Sequence, residues 1–175
     1  MRHIVIERTT ARPNDWFVMM MTTTRMLRIA AAISLLFTLG HSMGGLQQWS
    51  PMGENAVLKA MTDVRFDTMG VSRSYLDFYM GFGWSLSVFM LMETVLLWQL
   101  ASLAKTEPAR VRPIIAMIAL ATAGSGIIAW RFILPVPALF SVVLVIPLAI
   151  AYVAARSEQH IASAALPQDL RQPSA

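Results

Sequence analysis

Residues 74–103 read SYLDFYMGFGWSLSVFMLMETVLLWQLASL. The stretch opens on the acidic, aromatic Asp77-Phe78-Tyr79 and passes Gly81 and Gly83. It then runs apolar for about five helical turns with one carboxylate, Glu93, inside the run. A bilayer core of about 30 Å needs about 20 such residues. We therefore read 79–103 as a membrane span, with Glu93 as its odd residue.

Three more segments have the same character. The first, 27–46, carries no charge from Ile29 to Gln47 apart from whatever His41 holds. Its basic start and short apolar middle also fit a secretory signal, but no Ala-x-Ala site follows, so a retained helix is favoured. A third span covers 113–134, with Gly124-Ser125-Gly126 in its middle and Trp130-Arg131 near its end. A fourth covers 138–155 and contains Pro147, which an apolar helix tolerates where a neighbour satisfies the freed carbonyl. Pro135-Val136-Pro137 reads as the tight reversal between them.

The connections complete the outline. Residues 1–25 show no helical period, Pro13-Asn14 interrupts them, and Met19-Met20-Met21 offers a second candidate start. In 47–76, Ser50-Pro51 suits an N-cap followed by a first helical proline, and Gly70 suits a stop. Val57, Met61 and Val64 fall on one side and Lys59, Asp63 and Asp67 on another, as in an amphipathic helix on the membrane surface. The expected fold is all-α and integral to the membrane: a four-transmembrane-helix bundle over 27–155 with a short amphipathic helix between helices 1 and 2. Residues 1–25 form one tail, and 156–175 a second, disordered one.

Composition agrees. Hydrophobic residues make up 56% and charged residues 14%, against about 25% charged in soluble domains. Lipid, rather than water, is the main solvent. Absence of cysteine excludes disulfides, thiolate metal sites and thiol nucleophiles. The net charge of +4 is spread over tails and loops without an aromatic-interleaved basic patch, which argues against nucleic acid. The partners expected are the lipid bilayer and either another membrane protein or a second copy. Four spans put both termini on one side, with Arg2, Arg8, Arg12, Arg25, Arg28, Lys105, Arg110, Arg112, Arg156 and Arg171. The other side has only Lys59, Arg65, Arg73 and Arg131. Ten against four places the termini in the cytoplasm, and the Arg- and Ala-rich composition points to a bacterial inner membrane.

Depth sorts the polar residues. At about 1.5 Å per residue along antiparallel helices, His41 and Glu93 differ by about 12 Å in depth and do not meet. We expect an outer layer of His41, Ser85 and Ser141 and an inner layer of Ser34, Glu93 and Tyr152. Glu93 is either a proton- or ligand-binding carboxylate, or an acid that hydrogen-bonds between helices and fixes their register. Its wheel companions Tyr79, Phe82, Leu86 and Phe89 favour the second. For His41 the ordinary account is a neutral imidazole bonded to a serine or a carbonyl, the sharper one an acid–base with Asp77. Haem is disfavoured because His3 and His160 lie in the tails. No cofactor and no metal are expected. If function lives on this helix, it is sought first where Asp77 and Tyr79 approach His41.

The segment Leu-Phe-Thr-Leu-Gly-His41-Ser-Met-Gly-Gly-Leu, followed by Arg73-Ser-Tyr-Leu-Asp77-Phe-Tyr-Met-Gly81-Phe-Gly83, resembles a family of small, uncharacterised four-helix bacterial membrane proteins. The likeness covers about 28–103 and implies membrane location without an activity. The leading expectation is a non-enzymatic membrane protein. The alternatives are a small transporter or hydrophobic-ligand binder using Glu93, and a membrane enzyme using His41 with Asp77.

Overall fold

Long uninterrupted helices are what apolar sequence in lipid dictates, because every backbone N–H and C=O must find its partner within the segment. The computed structural model describes residues 13–45, 50 and 52–165. In chain order the elements are α1 (Pro13–Gly45), α2 (Ala56–Asp63), β1 (Arg65–Thr68), β2 (Val71–Ser74), α3 (Tyr75–Leu103), α4 (Pro108–Phe132) and α5 (Pro135–Ala165). Four stretches are long and apolar enough to cross a membrane: Thr22–Gly44, Tyr75–Leu103, Pro108–Phe132 and Pro135–Arg156. The fold is all-α in character and the chain is a multi-pass membrane protein. Large apolar side chains such as Leu36, Phe89, Met117, Ile127 and Trp130 are more than half exposed. In water such a surface would drive aggregation; in a bilayer it is the lipid contact.

Several boundaries differ from expectation. Pro13 begins α1 instead of interrupting it, since a proline in the first turn lacks only an N–H that the helix leaves unpaired anyway. Pro135 and Pro137 likewise sit in the first turn of α5, and the reversal is made by Ile133 and Leu134. α5 continues past Arg156 to Ala165, so the start of the expected disordered tail is helical. Residues 1–12 and 166–175 lie outside the described residues.

The connection between the first two spans also departs from the outline. Its helix is capped by Asn55, not Ser50, with the Asn55 side chain accepting from the Val57 and Leu58 amides at 2.9 and 3.1 Å. It ends at Asp63, and residues 65–74 form an antiparallel hairpin with Arg65 opposite Ser74 and Thr68 opposite Val71. Gly70 therefore stops no helix. With Met69 at φ 51° and Gly70 at φ 80°, the pair makes the two-residue turn whose backbone twist matches a hairpin.

Two compact units divide the chain. In one, Ala31–Leu96, the later part of α1 and the earlier part of α3 run antiparallel. The buried positions follow three- and four-residue steps, Ala31, Ser34 and Thr38 on α1 and Ser87, Met90 and Thr94 on α3. That seven-residue repeat is the left-handed coiled-coil seam. Phe66, Tyr75, Phe78 and Phe82 tie the hairpin to the start of α3, with ring centroids 4.9 to 6.1 Å apart at tilted or edge-on angles.

The other unit joins the described residues up to Ala30 with those from Leu97 onward. Its α4 buries Val111, Ile115, Thr122, Gly126 and Ala129, and its α5 buries Ser141, Leu144, Leu148 and Ala151. Gly126 brings the two helices close: a Cβ there would lie 2.8 Å from the Ser141 Cβ.

Candidate functional site

The polar residues of α1 and α3 form two rungs on one seam. In the first, the Ser34 and Thr94 hydroxyls are 2.8 Å apart. In the second, His41 Nδ1 lies 3.0 Å from the Ser87 hydroxyl. Seven residues separate the rungs on each helix, so both obey a single antiparallel register and stand about 10 Å apart along the axis.

Proton accounting orients both rungs. A hydroxyl has one proton to give. Thr94 donates to the Met90 carbonyl at 3.1 Å and Ser87 to the Gly83 carbonyl at 3.3 Å, each one turn back on its own helix. The cross-helix bonds then run from α1 to α3: Ser34 donates to Thr94, and His41 Nδ1–H donates to Ser87. In the neutral tautomer that donates from Nδ1, Nε2 is left as an acceptor. Thr38, between the rungs on α1, returns its proton to the Ser34 carbonyl at 2.8 Å. Interhelical bonds of this kind in a membrane contribute on average about 0.6 kcal/mol and at most about 1.7 each. The rungs choose a register more than they supply stability.

The expected layers are rearranged accordingly. His41 takes Ser87 and not Ser85, which is exposed. Two residues along a helix are about 200° apart, so only one of these serines can face α1. Ser141 lies in the other unit, where it is buried against Gly126 and donates to the Pro137 carbonyl at 3.0 Å. Ser34 takes Thr94 as its partner. Tyr152 accepts a 2.8 Å bond from Arg112 Nη2, with the guanidinium carbon 4.4 Å from the ring centroid. Glu93 is half-buried and immediately precedes Thr94, at the level of the Ser34 rung. Six residues separate it from Ser87, which puts it about 9 Å along the axis from His41.

Asp77 has a local task. The Ser74 amide donates to its carboxylate at 2.9 Å, and the Asp77 amide donates to the Ser74 hydroxyl at 3.0 Å. This reciprocal pair caps the N-terminus of α3 and satisfies two otherwise orphaned donors. Ten residues, or about 15 Å of helix, separate Asp77 from His41's partner Ser87. Tyr79, one turn inside α3, is about half exposed. The expected meeting of Asp77 and Tyr79 with His41 therefore does not occur at hydrogen-bond range.

No protein-family model, curated protein or solved structure matches this chain. The family likeness over 28–103 thus rests on the quoted residues alone. Among the described residues, no group of three or more His, Asp or Glu is placed to hold a metal ion. A pocket does lie along α2, lined by Glu54, Asn55, Leu58, Lys59, Thr62 and Asp63. None of the rung residues lines it. There the Lys59–Asp63 ion pair, one turn apart, raises the lysine above its ordinary pKa through hydrogen bonding and charge.

Sequence reasoning missed Ser87, Thr94 and the Arg112–Tyr152 pair. The first two had a usable signal: Ser34 and His41, like Ser87 and Thr94, are seven residues apart, which is the period of a helix seam. Ser74-x-x-Asp77 likewise has the form of a capping box.

Proposed function

We propose that this is a non-enzymatic integral protein of a bacterial inner membrane whose intramembrane polar residues hold helix register. In this reading it works as a packing partner for another membrane protein or a second copy. One observation carries it: both polar rungs fall on a single seven-residue register, with His41 and Ser34 each bonded across the seam. The same reading keeps the chain with the small four-span bacterial proteins it resembles over 28–103.

Functionally, the test is a transport assay. Reconstituted into liposomes with an imposed pH gradient, the protein is expected to leave the internal pH decay at the rate of protein-free vesicles. His41→Ala and Glu93→Gln are expected to lower stability by about 1 kcal/mol or less. A proton flux that Glu93→Gln abolishes would replace this reading with the second one, a small transporter or hydrophobic-ligand binder, favoured by a half-buried carboxylate in mid-span. Against the enzyme alternative stands the capping role of Asp77, whose carboxylate accepts from the Ser74 amide.

Both termini are proposed to face the cytoplasm, on the strength of ten basic residues against four. Alkaline phosphatase fused within residues 56–63 should be active and fused after Ala175 inactive. The reverse pattern would overturn the orientation.

A further inference from the structure

The Arg112–Tyr152 pair is built like half of an anion site. Tyr152 fixes the guanidinium twice, by the 2.8 Å bond to Nη2 and by the ring face 4.4 Å from its central carbon. A phenol is neutral, so the charge itself stays uncompensated. Among the residues whose side chains are described, no carboxylate pairs with Arg112, and the neighbouring Glu107 goes to Arg110 at 2.7 Å. Arg112 Nε is buried with no hydrogen-bond partner, which leaves the group short of acceptors on its own side of the helix pair.

The surroundings are cationic and interfacial. Arg112 is four residues past Pro108, the first residue of α4, and so lies about 6 Å into the span, at headgroup depth. Arg156, exposed, follows Tyr152 by one turn on α5 and shares its face. Within the same unit Arg28 stacks over Trp98 at 5.6 Å, near the end of α3. Planar guanidinium groups bind phosphate oxygens in a fork, and basic pockets between membrane helices bind anionic lipid headgroups. A lipid suits the position better than a soluble ion does, because exposed apolar flanks such as Ile114 and Val153 offer its chains a surface.

We propose that Arg112, positioned by Tyr152 and assisted by Arg156, binds the phosphate of an anionic phospholipid in the leaflet at this end of α4 and α5. The site does not depend on which side of the membrane that end faces. It also does not depend on whether the α1–α3 seam is structural.

The full chain in a neutral detergent would be titrated with phosphatidylglycerol, with phosphatidylcholine and with inorganic phosphate, following thermal unfolding. Phosphatidylglycerol is expected to raise Tm by about 5 °C near saturation, phosphatidylcholine by much less, and inorganic phosphate not at all. Arg112→Gln should weaken phosphatidylglycerol binding about tenfold or more, and Arg112→Lys should restore only part of it because the planar fork is lost. Tyr152→Phe keeps the ring and removes the fixing hydroxyl, so it should give an intermediate loss even where Arg112→Gln proves unstable. Arg131→Gln, in the last turn of α4, should bind as the unaltered protein does. Equal stabilisation by phosphatidylcholine, or an unchanged shift in Arg112→Gln and Tyr152→Phe, would overturn the proposal. A shift reproduced by inorganic phosphate would reassign the site to a free anion.

Discussion

Gly126→Ala should destabilise the protein while Gly124→Ala, two residues away, should stabilise it. Replacing glycine by alanine within a helix ordinarily gains about 0.5–1 kcal/mol. At Gly124 nothing lies within 4 Å of the new methyl, so that gain is the whole effect. At Gly126 the methyl would sit 2.8 Å from the Ser141 Cβ and 3.3 Å from its hydroxyl oxygen. A Cβ is fixed to its backbone, so relief requires α4 and α5 to move apart. Overpacking of this kind costs about 1–3 kcal/mol, which outweighs the propensity gain. Unfolding of both variants by denaturing detergent, read by loss of helicity, would give the two signs. A stable Gly126→Ala would mean that the helices do not approach as described.

The second large effect is expected at Leu148, which is fully buried on α5. In a water-soluble core, Leu→Ala costs about 2–5 kcal/mol, partly because the lost methyl groups return less transfer energy from water. Here the separated helices remain in lipid, which is as apolar as leucine, and only the packing loss remains. We therefore expect about 1–3 kcal/mol for Leu148→Ala, measured in the same unfolding assay. Ile146→Ala, at a position 55% exposed, should change stability by a few tenths of a kcal/mol. Similar losses at both sites would show that Ile146 is covered by something besides lipid.

How much of this could be read from the chain depends on what each residue type can say alone. Apolar length makes a span legible, because hydrocarbon leaves helices as the only choice for such a run, and the stretches beginning near 27, 79, 113 and 138 all emerge as helix. Helix rotation is not legible in the same way. Ser85 and Ser87 are chemically identical, yet only Ser87 meets α1, and nothing local separates them. Gly124 and Gly126 pose the same problem, since their difference is made by Ser141 on another helix. Asp77 draws notice as an acid beside aromatics, whereas Ser74 three residues earlier is the signal of its capping role. The hairpin was hidden by Met69, a residue that rarely takes a positive φ outside a turn. Depth alone places Tyr152 at the level of Glu93, whereas its bond to Arg112 depends on the α4–α5 register.

The spacing of the two rungs has a consequence for biogenesis. A helix entering the bilayer during synthesis meets its later neighbour with no pull from water to select a face. α1 must wait for α2, the hairpin and the start of α3 to be delivered before either of its donors has a mate. When they meet, a slip by seven residues could re-form at most one of the two bonds, and slips by other amounts neither. Ser34 and His41 thus favour one docking register, because only that alignment gives both of them their cross-helix partners.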